Sequence, residues 1–123
     1  MKGTGRRQAG VVTIAAALAL LPIAGCRSGE KLTPEQAEGQ HLYATRCAHC
    51  HGDNDLGLKP PPPELKGVMA RGILPSGAHA TDDVVRKTVL AGKGNMPGFL
   101  GRFTEEQMRA LIAYLRTDMP PAE

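Results

Sequence analysis

The chain has 123 residues, enough for one domain, and it contains two Phe, two Tyr and no Trp. A domain this small with so few bulky side chains buries little apolar surface, so it needs a disulfide, a metal or a buried cofactor for stability. The formal charge of +3 comes from Lys2, Arg6 and Arg7, and the remaining 12 basic and 12 acidic residues balance. This balance argues against a nucleic-acid-binding domain.

The first 25 residues have the order of a secretory signal peptide. A basic start precedes an apolar run over residues 11–23, and the small residues Ala24 and Gly25 follow. The run is short for a membrane span, although an uncleaved anchor helix is the alternative. We therefore expect residues 1–25 to be a signal peptide.

Cys26 stands where the signal should end. The sequence Ile23-Ala24-Gly25-Cys26 resembles the bacterial lipobox, in which the cysteine becomes the lipidated first residue. Cys26 is also the odd one of three cysteines, since Cys47 and Cys50 form a natural pair. We expect residues 26–32 to be a lipidated N-terminus and linker; the alternative for Cys26 is a free or disulfide-forming thiol.

A capping box marks the first helix. Thr33 is the N-cap, Pro34 suits the first helical position and Gln36 completes the box. The helix is predicted to continue towards Cys47, which would share one face with Gly39 and Tyr43 at spacings of four residues.

The middle of the chain alternates loops with short helices. Four consecutive prolines at residues 60–63 exclude a helix interior, and a short turn or helix is predicted around residues 65–71. A second clear helix is predicted over residues 81–91, with Thr81 or Asp82 as cap and Gly92 as stop. The loop that follows carries Met96-Pro97.

The last helix is the best-marked element. Residues 104–107 form another capping box, and apolar residues follow with helical spacing: Met108, Leu111, Ile112 and Leu115. The helix should end near Asp118, before Pro120. No segment shows apolar and polar residues alternating with the period of two that is typical of a β-strand, so the domain is predicted to be all-α with long loops.

Cys47-Ala48-His49-Cys50-His51 is the C-x-x-C-H pattern of covalent haem attachment. Two thiols three positions apart can each bond one vinyl group of a haem, and the next residue, His51, is then held where it can ligate the iron. The competing interpretations are a redox dithiol, which expects neighbouring strands, and half of a zinc site, which needs further well-spaced ligands.

Several segments together resemble class I bacterial cytochromes c. These are residues 39–43 with the C-x-x-C-H motif, residues 94–99 around Met96, and residues 111–115. The resemblance implies a small all-α fold of three main helices plus long loops around one covalent haem c, here over residues 33–119, with residues 120–123 as a tail. It also implies that the first and last helices cross closely, with Gly39 against Tyr114.

The resemblance implies that Met96 is the sixth iron ligand, opposite His51. Met69 is the competing methionine, and a histidine or an open site is a further alternative. The other ring N–H of His51 should be held by a backbone carbonyl of the proline-containing loop. We expect His41, His49 and His79 to be surface residues.

The predicted function is a monohaem one-electron carrier tethered by lipid in the bacterial cell envelope, facing the periplasm or the outer side of the cytoplasmic membrane. It would be a monomer without catalytic residues that serves redox protein partners, and a role as subunit or partner of a respiratory enzyme is compatible with this prediction. Residues 56–102 carry seven basic and three acidic groups, which suggests either an ordinary solvated surface or docking of an acidic partner. The alternatives are a peroxidase-like haem enzyme and a haem-based sensor, which both need a displaceable sixth ligand.

Overall fold

The computed structural model describes residues 31–120, which contain five α-helices and no strand. They are α1 (Pro34–Arg46), α2 (Ala48–His51), α3 (Val68–Arg71), α4 (Asp82–Ala91) and α5 (Glu105–Leu115). The all-α prediction is therefore confirmed. No helix within residues 31–120 combines the length and the hydropathy needed to cross a membrane. The predicted signal peptide and Cys26 lie outside the described residues.

The predicted capping residues begin the three main helices. Thr33 and Thr104 each form a full capping box, and Thr81, not Asp82, caps α4. Helix α5 ends at Leu115, earlier than predicted. The hydroxyl of Thr117 donates to the carbonyl of Tyr114 and also accepts a hydrogen bond from the backbone N–H of Met119, so a turn replaces the next helical turn.

Helices α1 and α5 cross in close contact at Gly39. A Cβ atom at Gly39 would lie 1.9 Å from the carbonyl oxygen of Ala110 and 2.8 Å from the Cβ of Tyr114. The rings of Tyr43 and Tyr114 pack beside this point, with their centroids 5.6 Å apart. The predicted crossing of Gly39 against Tyr114 is confirmed, because only a residue without a side chain allows the two backbones to approach this closely.

The hydrophobic core lies between α4 and α5. Its buried cluster consists of Val85, Val89, Met108, Leu111, Ile112 and Leu115. Two ion pairs, Arg86 with Glu105 and Arg116 with Asp82, connect the same two helices at the surface. Three members of the cluster also line a cavity on one side of the core, so the core supplies one wall of the candidate site.

Candidate haem site

A cavity of about 400 Å³ opens between the α1–α2 corner, the proline run and the end of α4. Val85, Val89 and Leu115 of the core form part of its wall, and residues 60–63 form another part. This volume lies within the usual range for cofactor and small-molecule sites, which are mostly apolar with a few placed polar groups.

Both cysteines of the C-x-x-C-H motif line this cavity. The chain breaks its helical path at Cys47, and the four-residue helix α2 then presents Cys50 and His51 to the same space. The thiols of Cys47 and Cys50 are not joined in a disulfide. Burial, and secondarily the nearby Cys50, raises the pKa of the Cys47 thiol to about 11. Dithiol oxidoreductases instead lower the pKa of the attacking thiol, so this environment disfavours a redox dithiol.

The ring of His51 is held by a backbone carbonyl. Its Nδ1 lies 2.8 Å from the carbonyl oxygen of Pro63. A carbonyl only accepts hydrogen bonds, so Nδ1 carries the proton and Nε2 keeps its lone pair for a metal. The predicted acceptor in the proline run is thereby identified as Pro63. His51 also borders a second cavity of about 280 Å³, together with Tyr43 and Glu64.

Met96 is the methionine that lines the larger cavity among residues 31–120. Met108 is only 1% exposed within the core cluster, which agrees with its predicted packing role. Met69 packs against the core cluster, and Met119 borders the smaller cavity that His51 also lines. The position of Met69 therefore gives no support to its competing assignment.

The other histidines lie away from the cavity. His41, His49 and His79 are exposed, as predicted, and His49 pairs with the carboxylate of Asp55 at 3.0 Å. Within the described part of the chain, no group of three or more His, Cys, Asp or Glu side chains is arranged to hold a metal ion. A zinc site built from the motif cysteines would need such a group.

The comparison with known proteins agrees with this geometry. The protein family described as cytochrome c oxidase, cbb3-type, subunit III matches residues 34–115. The chain belongs to this cytochrome c family. The match extends from the first residue of α1 to the last residue of α5 and includes every residue of the proposed site.

Two cytochromes c6 are similar to this cytochrome c. The protein of Synechocystis sp. is 27% identical over 84 residues, which cover 68% of this chain and 66%, just under two thirds, of the relative. The protein of Thermosynechococcus vestitus is 28% identical over 106 residues, covering 85% of this chain and 82% of the relative. Family and relatives together identify a monohaem class I cytochrome c with covalent haem c, an electron-transfer protein and not an enzyme.

The cavity of this cytochrome c fits a haem. Two thiols, an imidazole nitrogen with a free lone pair and a thioether sulfur all belong to side chains on the wall of one largely apolar space. Soft sulfur and imidazole are ligands that haem iron accepts. The side chains that line this cavity therefore include the types of donor that a covalent haem c would need.

The wall of the cavity carries cations but no carboxylate. Arg46 and Lys93 line it, both are exposed, and no Asp or Glu is among the lining residues. Six of the lining residues are prolines, at 60–63, 75 and 97. The sequence marked Lys93 only as one of the seven basic residues in 56–102. It did not indicate that Arg46, which precedes that segment, would line the cavity. The lining of the cavity is therefore rich in proline, largely apolar and positively charged.

Proposed function

We propose that this cytochrome c is a membrane-tethered one-electron carrier with thioether bonds to Cys47 and Cys50 and with His51 and Met96 as axial ligands. The observation that carries the proposal is the shared cavity, because all four side chains lie on its wall. When bound, haem c supplies a reversible one-electron couple of its iron. The residues of the chain then decide its potential, its access to solvent and its choice of partner.

The two axial residues have different tasks. His51, with Nδ1 fixed by the carbonyl of Pro63, presents Nε2 in a constant orientation, and the hydrogen bond increases the basicity of the ring. The uncharged thioether of Met96 favours ferrous iron and raises the reduction potential. The apolar wall acts in the same direction, since it disfavours the additional charge of ferric iron. With His51 and Met96 both bound to the iron, a haem here would have no open coordination position for peroxide or a gas, which would separate a carrier from the peroxidase-like and sensor alternatives.

Replacement of Met96 tests the axial assignment. Met96→Ala should abolish the weak far-red charge-transfer band of the ferric protein, lower the reduction potential and allow ferrous protein to bind carbon monoxide. These effects follow from the loss of the sulfur ligand and the open coordination position. They are measured by visible spectroscopy, redox titration and stopped-flow ligand binding.

Met69→Ala is the matched control, because Met69 also packs against the core cluster but does not line the cavity. It should keep the band and exclude carbon monoxide. The opposite pattern, with the band lost only in Met69→Ala, would show that the ligand has been misassigned. Peroxidase turnover in the unaltered protein at a rate that Met96→Ala leaves unchanged would favour the enzyme alternative.

Tethering is proposed from the signal-like start and the lipobox resemblance around Cys26. Several acyl chains on Cys26 would anchor the domain firmly, since two lipid signals already give stable attachment. The short linker before Thr33 would keep the domain close to the bilayer. The proposed location is the periplasmic side of the bacterial cell envelope.

The variant Cys26→Ser should alter processing of the precursor and release haem-bearing protein into the soluble fraction. Fractionation with haem staining and intact-mass analysis of residue 26 would measure both effects. The reason is that serine lacks the thiol that the diacylglyceryl group requires. Membrane-purified native protein with an unmodified Cys26 thiol would contradict the anchor.

We further propose that redox partners dock at the cavity mouth and present an acidic surface to it. Arg46 and Lys93 supply the complementary charge, and no carboxylate side chain lies among the residues of the wall. The family description, an oxidase subunit, supports a terminal oxidase as one electron acceptor. Contacts between redox partners bury a small surface area and are short-lived, and a proline-rich rim is suited to such a contact.

Oxidation of the ferrous protein by the anion hexacyanoferrate(III) probes this charge. Lys93→Gln should slow the reaction about two- to fivefold at low ionic strength, because one charge a few ångströms away contributes on the order of 1 kcal/mol in water, and salt should remove the difference. Lys87→Gln is the control, since Lys87 is exposed on α4 but does not line the cavity. Equal stopped-flow rates for the two variants would argue against a charged mouth.

A further inference from the structure

The segment that carries Met96 is fastened to the end of α4 on both sides of the methionine. Before it, the backbone N–H of Lys93 donates to the carbonyl of Met96 at 3.1 Å, and the N–H of Met96 donates to the carbonyl of Lys93 at 2.9 Å. After it, the N–H groups of Phe99 and Leu100 donate to the carbonyls of Val89 and Leu90 at 3.0 and 3.2 Å. These last bonds satisfy carbonyls that a helix end otherwise leaves without partners.

Gly92 lies at the centre of this arrangement. Its backbone has φ 75° and ψ 172°, a conformation that essentially only glycine adopts. A Cβ atom at Gly92 would lie 2.5 Å from the carbonyl oxygen of Met96, 2.7 Å from the nitrogen of Gly98 and 2.8 Å from the carbonyl carbon of Pro97. All three are backbone atoms, so no side-chain rotation can relieve the contact. The backbone of Met96 therefore rests directly on Gly92.

We propose that Gly92 is the positioning residue for the sulfur of Met96, in addition to ending α4. This inference rests on the proposed ligation by Met96. Ordinary van der Waals contact with a Cβ atom begins at 3.4 Å, but the carbonyl oxygen of Met96 would lie only 2.5 Å from a Cβ at Gly92. This oxygen would therefore have to move away by about 1 Å. Metal–ligand distances tolerate about 0.2 Å, and a site about 0.5 Å looser than this loses its geometry. A backbone shift of this size is larger than the tolerance of a metal–ligand distance, so it would disturb the position from which the Met96 side chain reaches the iron.

Gly94 provides a matched comparison in the same loop. It also has a positive φ, 56°, but a Cβ atom there would meet nothing within 4 Å. Gly94→Ala therefore adds backbone strain without pressing on the methionine. Gly94→Ala is therefore the control for an alanine at positive φ in this loop, whereas Gly92→Ala adds both the contact with the Met96 backbone and the glycine-only φ and ψ of Gly92.

The test uses the haem-bearing full-length protein with Gly92→Ala, Gly94→Ala and Met96→Ala. Gly92→Ala should behave like Met96→Ala: loss of the ferric far-red band, a lowered reduction potential and carbon monoxide binding by the ferrous form, with far-ultraviolet helicity retained. Gly94→Ala should keep the band and exclude carbon monoxide. A merely structural role for Gly92 would reduce the unfolding midpoint without changing the band or the potential in the folded state.

The outcomes separate this inference from the proposed function. If Met96→Ala loses the band while Gly92→Ala retains it, the positioning role is wrong and the ligand assignment stands. If Met96→Ala retains the band, the proposed ligation itself fails. If Gly92→Ala yields no haem-bearing protein while Gly94→Ala accumulates normally, Gly92 is required for folding as a whole, and its specific assignment to Met96 is overturned.

Discussion

The double variant Cys47→Ser, Cys50→Ser is expected to be colourless and largely unfolded. Without covalent attachment the cavity of about 400 Å³ has no retained occupant. An empty cleft leaves its apolar wall without packing partners and open to water, which costs at least about 3–5 kcal/mol, the cost of deleting one large core side chain. The whole stability of a domain is about 5–15 kcal/mol, so few chains of this size would remain folded.

Haem retained by the protein after acid–acetone extraction and the far-ultraviolet circular dichroism measure the two consequences. His49→Gln is the matched control, because it changes a residue between the two cysteines whose side chain is exposed and pairs only with Asp55 in the described contacts. That variant should keep its full haem content. A red, fully helical double serine variant would refute the dependence on covalent attachment.

The second large effect is expected at the helix crossing. Gly39→Ala should lower the free energy of unfolding by about 2–3 kcal/mol, within the range for overpacked cores. Alanine would contribute about 1 kcal/mol in the opposite direction through helix propensity. The steric term should win, because the added Cβ would lie 1.9 Å from a backbone carbonyl that cannot rotate away.

Denaturant unfolding of the haem-bearing protein measures this difference. Glu38→Ala, at an exposed neighbouring position of α1, should change the stability by less than about 0.5 kcal/mol. A Gly39→Ala protein as stable as the unaltered chain would mean that α1 and α5 separate at little cost. The close crossing would then be unnecessary for stability.

The three main helices were predictable because their signals are local. A capping box needs only four residues, as at Thr33 and Thr104, and the apolar stripe of α5 repeats within a single helix. The C-x-x-C-H motif is equally local, since its chemistry depends on three positions. The end of α5 was misplaced because the hydroxyl of Thr117 competes for backbone partners, which helical periodicity does not reveal.

The remaining features of the site depend on contacts between distant segments. The sequence predicted a carbonyl of the proline run as the partner of His51 but could not distinguish Pro63 from its neighbours. It also marked Gly92 as a helix stop, yet the contact with the Met96 backbone appears only once the loop folds back on the end of α4. Arg46 joins the cavity wall for the same reason, since the turn at Cys47 redirects the chain beside it.

The crossing at Gly39 has a consequence for the order in which the protein matures. Gly39 and Ala110 are 71 residues apart in the sequence, so helix α1 has no surface to pack on until α5 has been synthesised. Closing so long a segment is entropically unfavourable before the contacts form. A nascent chain that has reached only the C-x-x-C-H motif therefore stays open, with Cys47 and Cys50 accessible. The two cysteines are therefore open to haem attachment before the two helices close over one another.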